Sequence, residues 1–587
     1  MRSVTPSRGS TAGGTTVRLA VEGLPADATT ADVDEVTIDG AICTVASVNA
    51  PAGSPYGNVT CVTTSYGRTS AARPGVAPVR VVVAGVGAAA ATSGAVYEYV
   101  DLWSSLTTWG ATSLGAGGGL PTEGDSVWIQ AGQRIVMDVS PPRLYMIVVQ
   151  GSLEFDRTDL RLDANYVFVM GGALTVGTED EPFLQRAVIT LHGSPVSKEI
   201  PLYGAAVIGC RECTLDLHGK PTVRAWTYLA ATAAAGDTEL VLEEPVHDWA
   251  PDGAAPVMVM VTSTAANGTM EEAETCVLLG VDGTGTRLTL SAPLLYDHLG
   301  QTFPLDGGHA VTFRANVALL SRNVVVQGSQ PMASLDKHGG HIMLHSRKHG
   351  AIADRSQGES LVGRIEDIEV RYAGQAFRLG RYPIHFHMIG TVRKSYIRRV
   401  SIHHTFNRAV AIHGVHYLRV QDNVAFETMG HTYFIEDGVE TKNIITGNLG
   451  ANTRESFALL TVDATPATYW ITNPDNYVVN NVAAGSTHYG FWFFPEPKVR
   501  GASEAEGKGI CPQGVPLLKW ADNEAHNNGK YGLRIFTNNP DQVPTAASGF
   551  YPRRKPCEDV VTSKVLINER LSSICPVCKN CGTIKCM

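Results

Sequence analysis

The chain has 587 residues, of which 44% are hydrophobic and 18% are charged, and it carries a net charge of −9. This length exceeds what one compact core accommodates, so we expect several domains or an elongated solenoid. The acidic balance argues against a dedicated nucleic-acid binder. Sixty glycines and the lack of an uninterrupted apolar run of about 18 residues favour turn-rich β-structure over a membrane-spanning chain.

Residues 1–100 contain short strand patterns such as TTVRLAVEG and PVRVVVAG, separated by Gly/Pro/Ser turns, which predicts a small β-sandwich. Cys43 and Cys61 lie in neighbouring strand-like segments and would suit a disulfide. Such a disulfide favours an extracellular chain. Asn58 and Asn267 each begin an N-glycosylation sequon, a pattern that often arises by chance and adds little to this expectation alone. The segment resembles the immunoglobulin-like IPT/TIG domain of cell-surface receptors, through VTPSRGSTAGGTTVRLAVEG, the two cysteines and VYEYV.

Residues 101–225 change to short apolar runs punctuated by glycine, each too short for a helix and typical of solenoid strands. This region resembles the eight-glycine domain of fibrocystin-like proteins and hyaluronan-degrading surface proteins. Trp103, Trp109, GDSVWI and GGALTVGTEDEPF carry that resemblance. Residues 226–304 predict a separate small β insertion in which no catalytic arrangement stands out.

Residues 305–545 contain an approximate repeat of just over twenty residues without a helical segment, which predicts a right-handed parallel β-helix. Asparagines recur at the predicted coil corner, namely Asn423, Asn481 and Asn523. We expect them to adopt left-handed backbone and to stack their amides in a ladder. Residues 546–587 form a Cys-containing tail whose role the sequence leaves open.

The segment RYPIHFHMIG places His385 and His387 on one face of a predicted strand, because successive side chains alternate. Stacking the coils by their isoleucines aligns Ile384-His385 with Ile412-His413 and Ile435-Glu436. The side chains of His385, His413 and Glu436 then form one column with His387 beside it. Three imidazoles and a carboxylate can enclose a divalent cation, zinc or another transition metal. The alternative is a hydrogen-bonded histidine ladder on a solvated sheet.

Arginines cluster in the same coils, interleaved with aromatic residues, and four of them are candidates for binding an acidic glycan: Arg378, Arg381, Arg399 and Arg408. Guanidinium groups bind carboxylates in a bidentate manner, and aromatic faces stack on sugars. The alternative is a solvated basic face that balances acidic residues elsewhere.

The β-helix segments LLSRNVVVQG, GRYPIHFHMIG, FNRAVAIHG, FIEDGVET, YWITNPDN and GSTHYGFWFF closely resemble fibrocystin-like proteins and, less fully, the cell-surface hyaluronidases. The resemblance implies part of a large extracellular, cell-surface or ciliary protein, with its membrane anchor outside this chain. The family residues that carry over are His385, His387, His413, Glu436 and Asp437.

Two functions remain open. In the first, the chain is a structural or adhesion ectodomain that engages a matrix or surface protein or an acidic glycan, assembles into larger filaments, and uses the metal to pin adjacent coils. In the second, it is a metal-assisted depolymerase of an acidic polysaccharide, as the hyaluronidase resemblance implies, with His403, His404 or Asp437 as acid or base. The leading IPT/TIG-like domain, and the lack of the extra domain that the hyaluronan-degrading proteins insert, favour the first.

Overall fold

A computed structural model of the chain describes residues 1–67, 69–70, 76–89, 95–109, 119–253, 255–346, 361–458 and 461–535. The predicted Cys-containing tail, 546–587, lies outside these residues. The chain divides into two compact units, Met1–Leu162 with Val169–Thr175, and Asp163–Phe168 with Val176–Met587. Among the described residues, no helix combines the length and apolarity needed to cross a bilayer.

The first unit begins with the predicted β-sandwich, which is confirmed. Its strands alternate buried and exposed residues, as in Thr16–Glu22, because one face packs on the core and the other meets solvent. Strand Thr16–Glu22 pairs antiparallel with Tyr56–Thr63, and Cys43 and Cys61 form a disulfide with both side chains in the core. The strands are Ser3–Thr5, Arg8–Ser10, Thr16–Glu22, Val33–Ile38, Ala41–Asn49, Tyr56–Thr63, Ala77–Val83, Gly87–Ala88 and Val96–Leu102.

Parallel pairing starts later in the same unit. Strand Arg134–Met137 lies between Val96–Leu102 and Ser152–Phe155 and is parallel to both. The further strands of this region are Ser126–Ile129, Leu144–Val149, Leu160–Met170 and Ala173–Val176. Each contains four to eleven residues, and the short apolar runs between glycines therefore form strands as the pattern predicts.

The second unit contains the predicted parallel β-helix, which is confirmed. Three parallel sheets form its walls, and each coil contributes one strand to each sheet. The first sheet is Val207–Arg211, His341–His345, Ile384–Thr391, Val410–His416, Tyr433–Ile435, Ala467–Ile471, Tyr489–Phe493 and Tyr531–Ile535. The second is Thr214–His218, Val362–Glu366, Tyr396–Arg398, Arg419–Gln421, Ile444–Thr446, Tyr477–Val479 and Lys519–Ala521. The third is Ala187–Leu191, Val324–Gly328, Ile368–Arg371, Ser401–Thr405, Val424–Met429, Leu449–Arg454, Val482–Ser486 and Glu524–Asn528.

An asparagine ladder runs along the corner between the second and third sheets. The amide nitrogen of Asn423 donates to Asn448 Oδ1 (2.8 Å), and the contact repeats from Asn448 to Asn481 (3.0 Å) and from Asn481 to Asn523 (3.1 Å). The ladder is therefore confirmed, but the left-handed backbone belongs to the residue before each rung, such as Asn480 with φ 55°. The turn itself thus uses Asp, Gly or Asn, and the buried amide that follows satisfies backbone groups of the neighbouring coils.

An antiparallel segment interrupts the β-helix where the sequence predicts an insertion, and its pairing continues beyond residue 304 to Leu319. Met260, Ala318 and Leu320 pack against Phe426 and Leu449 of the third sheet, so the segment covers that wall. Its strands are Trp226–Tyr228, Glu239–Val241, Val257–Val261, Glu274–Val281, Arg287–Leu290, Gly300–Pro304, Ala310–Arg314 and Asn316–Leu319.

Helices are short. The described α-helices are Leu106–Trp109 and Met332–Asp336, and the described 3-10 turns are Thr30–Asp32, His247–Trp249, Asp306–Gly308, Thr461–Ala464, Gly501–Ser503 and Pro512–Gly514. The last two belong to a long corner loop that lies beside the histidines.

Candidate metal centre

The first sheet of the β-helix carries the histidines. Phe386 pairs with Ile412, and Ile412 pairs with Ile435, so these apolar side chains stack inside the coils. The neighbouring positions face the opposite side of the sheet, which places His387 directly opposite His413. Glu436 follows Ile435 in the next coil, and its carboxylate approaches His413 from that side.

The predicted register was wrong by two residues. Ile384 pairs with Val410, so His385 stands opposite Ala411 and not opposite His413. A slip of two residues keeps every side chain on its face of the sheet, whereas a slip of one would reverse it. The two histidines of RYPIHFHMIG therefore stay on the predicted side, but His387 takes the place in the column that we expected for His385.

The four predicted ligands nevertheless fall into two overlapping groups that share His413. The Nδ1 atoms of His387 and His413 are 3.0 Å apart, and His413 Nδ1 lies 3.4 Å from Glu436 Oε2. The rings of His385 and His413 are stacked with their centroids 5.8 Å apart. Side-chain donor atoms of His385, His387 and His413 lie within 4.8 Å of one another, and so do those of His413, Glu436 and Asp437.

Backbone and carboxylate contacts orient two of the imidazoles. His385 Nδ1 donates to the carbonyl oxygen of Gly380 (2.9 Å), which leaves its Nε2 as the ring's acceptor nitrogen. Nε2 is buried and has no hydrogen-bond partner among the described residues. His413 directs its Nε2 at Asp437 Oδ2 (2.7 Å), so its Nδ1 faces His387 and Glu436. A second group on the far ring nitrogen is the usual arrangement of metal-binding histidines.

Burial and neighbouring charge shift the pKa values in the cluster. Burial, together with His387 and His413, holds the pKa of His385 well below its usual value, so this imidazole is neutral. Burial also lowers the pKa of His413, but Glu436 and Asp437 outweigh it and raise that pKa to about 9. Burial raises the pKa of Glu436. His413 is therefore protonated between two acids, and an ion that binds its Nδ1 must displace that proton.

A cavity of about 510 Å³ contains this cluster. The aromatic residues of its lining include Phe434, Trp470 and Phe494, and its cationic residues are Arg381, Arg408 and Arg500. A cavity lined by nitrogen and oxygen donors and by aromatic faces is suited to a metal ion together with an organic ligand.

The four predicted glycan-binding arginines already have partners inside the protein. Arg378 and Arg381 share Glu199 (3.2 and 3.0 Å), and Arg408 forms a buried pair with Asp463 (2.6 Å). Arg399 binds Asp367 and Glu366. Of the four, Arg381 and Arg408 line the cavity. The sequence does not reveal these pairs because Glu199 and Asp463 are distant along the chain.

Two of the predicted acid–base residues are not at the site. His403 and His404 belong to the third sheet, where their Nδ1 atoms are 2.8 Å apart and His403 Nε2 lies 3.2 Å from Glu369. The prediction grouped these histidines with the ligands because they are close in sequence. One coil, however, contributes a strand to each of the three sheets within about 25 residues, so neighbours in sequence can lie on different walls. Asp437 does line the cavity with the predicted metal ligands.

Three further residues shape the site but were not among the residues predicted from the sequence. The carbonyl of Gly380 orients His385, and the Ser503 N–H donates to Asp437 Oδ2 (2.9 Å). The buried carboxylate of Glu440 accepts from the N–H groups of Gly414 and Gly438 (both 2.8 Å), which fixes the turn after Glu436. Backbone groups have no signature in the sequence. Glu440, however, is the last residue of the run EDGVE, and its position beside Glu436 could have indicated it.

Comparison with known proteins supports the domain order. The IPT/TIG domain model matches residues 1–99, the G8 domain model matches 108–230 and the CEMIP beta-helix model matches 337–533. Fibrocystin-L of Homo sapiens is 39% identical over 91% of this chain and 13% of its own length, and that of Mus musculus is 37% identical over 91% and 12%. The chain thus spans about an eighth of these relatives.

More distant relatives share the later part of the chain. The cell migration-inducing and hyaluronan-binding protein of Mus musculus is 31% identical over 54% of this chain and 25% of its own length. Among solved structures, the tailspike protein gp49 from Pseudomonas phage LKA1 aligns with a TM-score of 0.21 and 11% identity over 62% of this chain and 53% of that chain, which is too low to support an argument. The chain is therefore fibrocystin-like, with an IPT/TIG domain, a G8 domain and a CEMIP-type β-helix in that order, as its sequence resemblance implies.

Proposed function

We propose that this chain is part of an extracellular or cell-surface ectodomain whose β-helix binds one divalent transition metal through His385, His387, His413 and Glu436. The observation that carries the proposal is the buried, unpartnered Nε2 of His385. The Gly380 carbonyl holds this ring at Nδ1, and the ring lines a cavity with two further imidazoles. A buried acceptor without a partner is costly, and a metal ion would satisfy it.

The metal's role in this proposal is to join coils. His385 and His387 lie on one strand, His413 on the next and Glu436 after the third, so one ion would bind three successive coils. When bound, it supplies positive charge that compensates Glu436 and binds neutral imidazoles. The Asp437 carboxylate accepts a hydrogen bond from His413 Nε2–H, and the Gly380 carbonyl accepts one from His385 Nδ1–H. Each ring is then able to present its other nitrogen to the ion.

In this proposal the second ligand of the cavity is an acidic glycan. The aromatic residues and arginines of the lining support it, and so does the similarity to a hyaluronan-binding protein. Sugar faces stack on aromatic side chains, and guanidinium groups pair with uronate carboxylates. Arg500 is the test residue because its side chain lines the cavity and is 61% exposed. Replacing Arg500 by Ala is expected to weaken hyaluronan binding several-fold in calorimetry, whereas replacing the exposed Lys498, which is outside the cavity lining, is not.

The alternative function is a metal-assisted depolymerase, which is favoured by an aromatic cavity beside the metal ligands and by a relative named as a cell surface hyaluronidase, 30% identical over 54% of this chain. Against it, His403 and His404 are on another wall, and Asp437 is engaged by His413 and Ser503. Binding is therefore the better supported function.

Electrophoretic sizing of hyaluronan and chondroitin after incubation with the protein separates the two functions. The ectodomain proposal predicts unchanged polymer length with and without chelator. Shortened chains whose formation stops on addition of chelator would establish the depolymerase instead.

A further inference from the structure

One connection of the β-helix, which follows Phe493, is longer than those of the four coils before it. Most connections from the first sheet to the second are short, as in residues 392–395, 417–418, 436–443 and 472–476. After Phe493 the next strand of the second sheet begins only at Lys519. We call residues 494–515 of this connection the strap.

The strap folds back across earlier coils. The N–H of Phe494 donates to the Ile471 carbonyl (2.7 Å), and the N–H of Arg500 reaches the Asp437 carbonyl (3.1 Å), two coils earlier. The Ser503 hydroxyl lies 3.5 Å from the sulfur of Met388, in the strand of His385 and His387. Ser503 is completely buried and Val499 is 1% exposed, so these residues anchor a strap in which most of residues 500–509 are exposed.

The strap also forms part of the cavity wall. Glu496, Arg500, Gly501, Ala502 and Pro512 line the same cavity as the histidines. Any ligand that enters from this side therefore passes the strap.

One atom joins the strap to the histidine cluster. Asp437 Oδ2 accepts the Ser503 N–H (2.9 Å) and also contacts His413 Nε2 (2.7 Å). A displacement of the strap removes one of the two groups that fix the Asp437 carboxylate. That carboxylate in turn fixes the ring of His413, which presents Nδ1 to His387 and Glu436.

We propose that the strap is a gate whose closed position and the metal's occupancy stabilise each other through Asp437. This inference rests on the proposed metal binding. Because such coupling is reciprocal, bound metal holds the strap closed, and an open strap weakens metal binding by the same factor. The gate thereby controls both metal release and access of a glycan to the cavity.

Gly501 offers a direct test. Its φ is +66°, and a Cβ there would overlap Asp437 Oδ1, so in Gly501→Ala the strap or the Asp437 carboxylate must move and their contact is lost. Gly509→Ala is the matched control, since Gly509 lies in the same strap with φ +87° and a Cβ there would meet no atom within 4 Å. Both variants carry similar backbone strain, but only the first separates the strap from the Asp437 carboxylate.

The measurements are Co²⁺ titration and hydrogen exchange of the whole chain. We expect about 10- to 100-fold weaker Co²⁺ binding in Gly501→Ala and a change below about threefold in Gly509→Ala. In the wild-type chain, saturating Zn²⁺ should slow exchange across residues 494–515 by at least about tenfold, a readout that does not depend on either variant folding.

The outcomes separate the two proposals. A wild-type chain that binds no metal overturns both. A wild-type chain that binds Co²⁺ overturns only the gate if Gly501→Ala binds it equally well, or if Zn²⁺ leaves the exchange of the strap unchanged.

Discussion

At the scale of single residues, the site depends on which ring nitrogen of each histidine is held by a neighbour. The Gly380 carbonyl accepts a hydrogen bond from His385 Nδ1, and the Asp437 carboxylate accepts one from His413 Nε2. The other nitrogen of each ring then points towards the cavity. The same principle operates away from the site at His341, whose Nε2 donates to the Tyr203 carbonyl (2.8 Å). Each of these imidazoles is placed by a group that is distant in sequence or belongs to the backbone.

His341 should make the fold acid-sensitive. Burial lowers its pKa to about 3, below its usual value of 6.5, so the folded state contains neutral imidazole. A depressed pKa gives stability that is present above pH 6.5 and is lost as the pH falls towards 3. Between pH 7 and pH 5 this group should lower the free energy of unfolding by about 2 kcal/mol.

Urea unfolding of His341→Gln at the two pH values checks this contribution. The glutamine amide can replace the Nε2 donor without titrating, so the variant should lose less stability on acidification than the wild type. Equal pH dependence of the two proteins would contradict the assignment. The exposed His309→Gln is the control and should behave like the wild type.

The Asp437 carboxylate is expected to set metal affinity. Asp437→Asn keeps the shape but removes the charge that stabilises the His413 Nε2 proton, so Zn²⁺ binding should weaken by about 10- to 100-fold. Competition with a chromophoric chelator measures the change. Asp475→Asn, on the connection of a later coil and paired with Lys442, serves as the matched control. Unaltered affinity in Asp437→Asn would show that Asp437 has no part in presenting His413.

At the scale of elements, the corner ladder should contribute more to stability than its polar composition indicates. Asn448 is fully buried and bonds to Asn423, Asn481 and the Val420 carbonyl. Replacing it by Ala leaves several buried groups unpaired, and we expect a loss of about 2–4 kcal/mol. Thermal unfolding of Asn448→Ala beside Thr446→Ala, an outward position on the same coil, measures it. Similar losses in both variants would refute the ladder's role.

The elements also show how far sequence reasoning reaches. The repeat, the asparagine corner and the side of the sheet on which the histidines lie follow from periodicity, which survives a slip of two residues. The exact pairing does not, because Ile384 and Phe386 are both apolar and either one could stack on Ile412. The partners of Arg381 and Arg408 could not be predicted from the sequence, because Glu199 and Asp463 come near them only through the coiling of the chain.

At the scale of the whole molecule, the sandwich has its own core cluster and the histidines lie in the second unit, so these two regions should respond to different treatments. The disulfide Cys43–Cys61 closes a loop with a sequence separation of 18 in the sandwich, and its reduction should cost about 3 kcal/mol there. Metal at 100 times its Kd should stabilise the β-helix by about 3 kcal/mol.

Hydrogen exchange resolved by mass spectrometry can assign each effect to its unit. Chelator should accelerate exchange in the strands around His385 and His413 and leave the sandwich unchanged, whereas reductant should accelerate exchange in Ala41–Asn49 and Tyr56–Thr63. Metal-dependent protection confined to the sandwich would contradict the placement of the ion.

The proposed metal binding requires that side-chain donors from three successive coils bind a single ion. Elemental analysis of the purified chain after exhaustive dialysis tests it most directly. We predict about one transition-metal equivalent per chain, lost in the His385→Ala, His413→Ala double variant and kept in His404→Ala. Full metal retention in the double variant, or a wild-type chain that remains metal-free after reconstitution, would contradict the proposal.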